Sequence, residues 1–370
     1  MDPGASPPTV AAGPPVPAVP RHEVAHHEVV YDGKGGKLLG IVLFNTLLSI
    51  LTLTVYRFWA KTRVREYLWS SVSFAGDRFE YFGSSRELLY GALVVIAVFA
   101  PAILLQGVFL ELLEIEHPVG LFVIQSLYSL ALYWLFQFAV FRARRYRLTR
   151  TLWRGVRANQ MGDSIAYAFM AVALTLLASF TAGLLLPLRN TTLYRYRINH
   201  TWFGDGHFQS DAGTGPLMGR WLLAWIFFVP TLGLTYFWYR AYEMRFYARH
   251  TRYGGLRFEL DITGWKLLLV YWPYIPTFLL AGGAFVGIIM VLDYDIMMPG
   301  VQGLYYLILI IILLTAWGIV RQLVLHRFAR VFCRALSVYG EQDLDGLRQG
   351  PLPTSRYGEG LADALDIGGL

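Results

Sequence analysis

Seven apolar stretches set the pattern of the chain, at about Leu38 to Tyr56, Leu88 to Leu110, Val119 to Phe141, Ser164 to Pro187, Leu217 to Tyr239, Trp265 to Leu292 and Val301 to Leu325. Each has the roughly 20 residues that a helix rising about 1.5 Å per residue needs to cross a hydrocarbon core about 30 Å thick. The pattern predicts a mainly α, polytopic helical membrane protein with about seven apolar segments and repeated short cytoplasmic strand-turn motifs. Three stretches carry breakers near their ends: Thr52-Leu53-Thr54, Thr181-Ala182-Gly183 with Pro187, and Pro230-Thr231-Leu232-Gly233. These three either cross once or turn back as re-entrant pairs, because broken backbone at membrane depth is tolerated where protein covers it.

The polar positions repeat. Thr52 to Glu80 and Thr231 to Glu259 align without a gap and share Thr-Leu, Phe-Trp, a glycine and Arg-Phe-Glu. In the first copy the interfacial signature is Phe58, Trp59, Lys61, Arg63 and Arg65, followed by Gly76, Arg78, Phe79 and Glu80. In the second it is Phe237, Trp238, Gly255, Arg257, Phe258 and Glu259. The closing piece recurs from Thr151, Thr201 and Thr251, each with an aromatic residue, a glycine and a basic residue or His, and Val29 to Tyr31 resembles a first strand. A lone hairpin is marginal in water, so these pieces are expected to pair into one small sheet.

Charge then orients the segments. Arg57, Lys61, Arg63 and Arg65 follow the first stretch and Arg142, Arg144, Arg145 and Arg147 the third, whereas the links ELLEIEHPVG and DYDIMMPG contain no Lys or Arg. The positive-inside rule places the basic links and the C-terminus, after Arg327, Arg330 and Arg334, in the cytoplasm. With 55% hydrophobic and 15% charged residues and a mean hydropathy of +0.44, the chain has too little charge for a soluble surface of its size. Its net charge of +7 sits at segment ends, which points to anionic lipid head groups of the bilayer and away from nucleic acid. Residues 1–28 read as a disordered Pro-rich tail, 29–340 as a repeat-built membrane domain and 341–370 as a flexible cytoplasmic tail. The single Cys333 excludes an internal disulfide and a thiolate metal cluster.

Little in the sequence carries chemistry. His22-Glu23-Val24-Ala25-His26 matches H-E-x-x-H, yet a zinc protease needs both histidines on one helix face, and this string leads into a strand. Gly33, Gly35, Gly36 and Gly40 lack the soluble helix N-terminus of a phosphate loop. Inside the apolar stretches stand neutral polar residues such as Asn45, Gln125 and Gln137, whereas a proton-coupled transporter usually needs a buried carboxylate or His. No catalytic residue, metal ligand or cofactor is expected. The function expected is non-enzymatic binding of anionic lipid, or of a membrane partner, through the repeated basic and aromatic units. Alternatives are a transporter or channel for a small solute and, more weakly, a membrane metallohydrolase using His22, Glu23 and His26.

The runs TLTVYRFWAKTRVREYLW and FAGDRFEYFGSSRELLYG, and TRYGGLRFE after TLGLTYFW, resemble the YjgN-like family of bacterial inner-membrane proteins, over about Val29 to Gly340. The chain departs from that pattern at Thr54, where similar proteins carry a glycine, and at Lys37, where an acid is usual. The resemblance implies a multi-pass protein of the bacterial inner (plasma) membrane and supplies no catalytic residue.

Overall fold

A computed structural model describes residues 25–52, 55–93, 118–293 and 299–350, with isolated positions between 93 and 118. Helical pairs alternate with β-hairpins. β1 (His26–Tyr31) leads into α1 (Gly35–Leu51) and α2 (Arg57–Ser70), which deliver β2 (Val72–Phe74) and β3 (Asp77–Tyr81). After α3 (85–93), α4 (Pro118–Thr149) runs into β4 (Thr151–Trp153) and β5 (Val156–Gln160). Next come α5 (Ser164–Phe180) and α6 (Leu186–Asn199) with β6 (Thr201–Phe203) and β7 (Gly206–Ser210). They are followed by α7 (Gly215–Ile226) and α8 (Thr235–Arg249) with β8 (Thr251–Tyr253) and β9 (Leu256–Leu260). The chain ends in α9 (Gly264–Tyr271), α10 (Tyr274–Asp293), α11 (Pro299–Ala335) and β10 (Leu336–Tyr339).

The ten strands among the described residues close into one antiparallel barrel, in the order β1-β10-β9-β8-β7-β6-β5-β4-β3-β2. Closure removes every sheet edge, which strands of three to six residues could not otherwise afford in water. The seam joins the first strand to the last, with His26 opposite Tyr339 and Glu28 opposite Ser337. At the β2–β3 and β4–β5 turns the central pairs Ala75-Gly76 and Arg154-Gly155 all have positive φ, the twist that tight hairpins require. Side chains alternate across the barrel wall: Arg78, Glu80, Arg257 and Glu259 point outward, while Phe74, Trp153, Phe203, Phe208, Tyr253 and Phe258 meet inside. Burial there pushes the Tyr253 phenol up to about 12, and its hydroxyl donates to the Phe203 carbonyl at 2.7 Å.

Residues 341–350 cross the turn end of the barrel. The chain swings inward at Gly340, whose φ of +131° and position against the Gly255 carbonyl leave no room for a side chain. Leu344 and Leu347 then join the barrel core beside Tyr253, Leu256 and Val338. Polar contacts fasten this strap: Gly255 N–H donates to Gln342 Oε1 at 3.1 Å, Arg157 N–H to Gln349 Oε1 at 2.8 Å, and Arg154 pairs with Asp345 at 2.6 Å.

The barrel corrects the expected mainly α, polytopic fold with about seven apolar segments. The fold is mixed. Among the described residues only Val119–Thr149 and Ile311–Ala335 are single helices long and apolar enough to cross a membrane, and Gly264–Tyr271 with Tyr274–Ala284 adds a third if that pair, bent by 42°, is one span. Counting by length fails because the stretches at Leu38, Ser164 and Leu217 are broken: α1 and α5 have 17 residues and α7 has 12, and each partner helix returns to the barrel. Most of Leu88 to Leu110 lies outside the described residues.

A threonine joins the two halves of each short hairpin. Thr52, Thr181 and Thr231 each donate a hydroxyl hydrogen bond to the carbonyl four residues back, at 2.7, 3.1 and 2.6 Å. Each also accepts from the N–H four residues on, at Tyr56, Leu185 and Thr235. Backbone groups freed by the break are thereby satisfied within the hairpin. Two breaks share a further device, since Ala182-Gly183 and Leu232-Gly233 both have positive φ. The neighbouring hairpin closes over the first of these, with Trp221 Nε1 and Trp225 Nε1 donating to the Gly183 and Ala182 carbonyls at 3.0 Å. Thr181→Val should therefore cost about 1–3 kcal/mol by orphaning these groups, while Thr181→Ser retains the bonds. Thermal unfolding in detergent checks this, and equal midpoints for all three proteins would show that the break does not depend on the hydroxyl.

Candidate functional site

Five helices, α2, α4, α6, α8 and α11, run directly into barrel strands and surround the barrel axis. Positions that share a distance from the following strand share a face: Val140, Asn190 and Arg240 stand eleven residues before it, Arg144, Tyr194 and Met244 seven, and Arg147, Arg197 and Tyr247 four. Steps of three and four keep them on one side of each helix. Above the barrel that side encloses a cavity of about 740 Å³, walled by α4, α6, α8 and α11 and floored by Phe208, Phe258, Leu260 and Leu336 of the barrel.

Four guanidinium groups line it, those of Arg144, Arg189, Arg197 and Arg240. Arg240 is ion-paired with Glu243, which is 1% exposed and also accepts from Tyr247 OH at 3.1 Å and Asn190 Nδ2 at 3.4 Å. Among the described residues Arg189 makes only neutral contacts, to Thr175 Oγ1 at 2.7 Å, the Asn190 carbonyl oxygen Oδ1 at 3.0 Å and Tyr133 OH at 3.1 Å. Arg144 reaches Thr201 Oγ1 at 3.3 Å and leaves its buried Nε without a partner, and Arg197 donates to the Leu193 carbonyl at 3.3 Å. Four cations thus face one carboxylate among the described residues. Tyr194 and Tyr247, stacked at 4.1 Å, and Phe136 and Tyr236 supply the apolar part of the wall. Planar guanidinium forks in a partly dry cavity are suited to an anion with several oxygens, such as a phosphate ester.

The signature residues of the repeats serve mostly elsewhere. Phe58 packs on Leu88, Ala92 and Tyr146, Trp59 stacks on Tyr56, and Arg63 lies over the Tyr56 ring at 5.8 Å. Lys61 lies on the half-buried part of α2, and Arg65 donates to Tyr81 OH at 3.2 Å. In the hairpins, Gly76 forms the β2–β3 turn, Arg78 pairs with Asp32, Phe79 meets Trp153, and Glu80 faces outward. In the second copy Phe237 packs on Tyr271, Trp238 stands edge-on to Trp265, and Gly255 receives the strap. Arg257 and Glu259 face outward, and only Phe258 reaches the axial cavity. Of the four cavity arginines, Arg144 reads in the sequence as charge that orients the third apolar stretch. Three of them, Arg144, Arg197 and Arg240, share the face set by spacings of seven, four and eleven residues from the following strand. His22 and Glu23 lie outside the described residues, and His26 sits in a strand with its ring 5.1 Å from that of Tyr339. Among the described residues no group of three His, Cys, Asp or Glu is placed to hold a metal ion.

Comparison with known proteins places this architecture among bacterial proteins without an assigned activity. The chain is 32% identical over 93 residues to the inner membrane protein YjgN of Salmonella typhimurium strain LT2, covering 25% of this chain and 22% of that protein. It is 27% identical over 135 residues to YjgN of Escherichia coli O157:H7, covering 36% and 31%. It is 36% identical over 59 residues to YjgN of Escherichia coli K12, covering 16% and 15%. The chain therefore spans less than a third of the length of each of these relatives. No solved structure matches it. Residues 26–242, more than half of the chain, match the family described as bacterial protein of unknown function (DUF898), and the chain belongs to that family.

Proposed function

We propose that this is a non-enzymatic protein of the bacterial inner membrane that binds an anionic phospholipid, its acidic head group held in the arginine-lined axial cavity. The observation that carries this reading is the charge of the cavity, four guanidinium groups against the single carboxylate of Glu243. In this reading α4 and α11 cross the bilayer, and the three short hairpins enter it from the cytoplasmic side, where the barrel and its strap lie. Their tips suit such a setting, with Phe180 87% and Leu232 93% exposed. Apolar walls beside the arginines accommodate the start of an acyl chain.

The test is native mass spectrometry of detergent-purified protein with added phosphatidylglycerol. A charge-assisted hydrogen bond is worth about 1.5–3 kcal/mol, so Arg144→Gln with Arg197→Gln should weaken retention more than tenfold. Unchanged retention in a folded double variant would sink the proposal. The position of the cavity on a repeat axis also favours passage of a small solute; flux of an anionic dye through proteoliposomes, abolished by the same substitutions, would select that second reading.

A further inference from the structure

A separate pocket of about 730 Å³ lies on the outer side of the first short hairpin, between α1, α2 and β3. Its charges are mixed, unlike those of the axial cavity: Lys37 and Arg63 are the cations, and Glu66 and Glu80 the carboxylates. None of the four closes an ion pair among the described residues; Lys37 sits 5.5 Å from the Tyr67 ring centre, and Arg63 rests on Tyr56. Asn45 also lines the pocket, is 2% exposed, and leaves its Oδ1 with no hydrogen-bond donor. A buried amide oxygen without a partner costs stability unless something else supplies a donor.

The repeats provide an internal reference. Aligning the hairpins on Thr52, Thr181 and Thr231 puts Ala166 and Pro216 at the position of Lys37, and Leu174 and Ala224 at that of Asn45. Thr192 and Tyr242 correspond to Arg63, and Arg195 and Arg245 to Glu66. The scaffold needs none of the four polar groups to build a hairpin. Only the first hairpin has them together, including an acid where both counterparts are basic.

The pocket is also graded along the hairpin. Lys37, Ser70 and Glu80 lie at its barrel end, and Ile41 and Phe44 follow toward the tip, about 6 and 10 Å farther along α1 at 1.5 Å per residue. Cations and carboxylates at the base with an apolar groove above match one kind of molecule. We infer that this pocket binds a zwitterionic phospholipid of the ethanolamine type, with its phosphate on Lys37 and Arg63, its primary ammonium on Glu66 and Glu80, and an acyl chain along Ile41 and Phe44. A primary ammonium brings N–H donors for the two carboxylates, which a choline head group lacks.

This site is independent of the axial cavity, and the experiment keeps the two apart. Detergent-purified protein is incubated with phosphatidylethanolamine or phosphatidylglycerol, and bound lipid is read by native mass spectrometry. The test variant carries the second-hairpin residues, Lys37→Ala, Asn45→Leu, Arg63→Thr and Glu66→Arg. It is expected to lose phosphatidylethanolamine at least tenfold and to keep phosphatidylglycerol, with Arg144→Gln and Arg197→Gln giving the reverse. If the fourfold variant does not fold, Lys37→Ala with Glu66→Arg still tests the idea, because Ala166 and Arg195 stand at those places in the second hairpin. Unchanged phosphatidylethanolamine retention in the folded variant overturns the inference, as does equal loss of both lipids.

Discussion

Trp153→Ala should destabilise the barrel by about 3–5 kcal/mol, the range for removing a large aromatic side chain from a core. Trp153 is 1% exposed, and its ring lies 5.4 Å from Phe74, 6.4 Å from Phe79 and 5.9 Å from Phe203, so it holds three hairpins together. Its Nε1 donates to the Asp77 carbonyl at 3.2 Å, and the Arg154 guanidinium covers its outer side at 4.7 Å from the ring centre. Alanine would leave a void at the point where the hairpins converge, and short strands around it cannot collapse without breaking the ladder. Trp153→Phe keeps most of the ring contact and should cost less than half as much. Denaturant unfolding in detergent, followed by near-ultraviolet circular dichroism, gives the comparison. A midpoint for Trp153→Ala equal to that of the native protein would mean that the rings do not form a packed core.

Glu243→Gln should separate stability from binding, lowering the one and raising the other. The carboxylate is buried and receives three donors, from Arg240, Tyr247 and Asn190. Breaking a fully buried ion pair costs about 3–5 kcal/mol, but Arg240 keeps 44% of its side-chain surface open, so about 2 kcal/mol is the expected loss. Removing the only carboxylate among the cavity's polar contacts also leaves four uncompensated guanidinium groups. At roughly 1 kcal/mol per unit charge near an anion, phosphatidylglycerol should be held about fivefold more tightly. Thermal midpoints and lipid retention measured on the same preparation test both signs. Weaker retention in the folded variant would show that Glu243 positions Arg240 for the ligand and does not compete with it.

The repeat was legible in the sequence because identical local problems select identical residues. Thr52 and Thr231 align because each bridges a helix break, and Gly76 and Gly255 align because each occupies a hairpin turn. What those identities do in space was not legible. Strands of three residues, such as Val72–Phe74 and Thr251–Tyr253, are too short for their alternation to reveal which strand they pair with. Ring closure is a property of all ten strands together and leaves no mark in any one. The apolar stretches misled for a related reason: a broken helical pair and a single span have the same hydropathy, and only the Thr-Ala-Gly and Thr-Leu-Gly breaks tell them apart. Arg144, Arg189, Arg197 and Arg240 were hidden among the other basic residues of the same helices and links, because hydropathy carries no information about the barrel axis.

The seam between β1 and β10 makes this a fold that cannot close until β10 has been synthesised. His27 and Gly340, hydrogen-bonded across the seam, are separated by 313 residues, which at about 5–20 residues per second take roughly 15–60 s to polymerise. During that interval β1 can pair with β2 on one side, while its other edge stays open to any extended segment that approaches. Contacts of such sequence separation make closure the slow step. Two nascent chains on neighbouring ribosomes then face a choice between closing on themselves and exchanging last strands, and the outcome depends on how soon β10 reaches the β1 of its own chain.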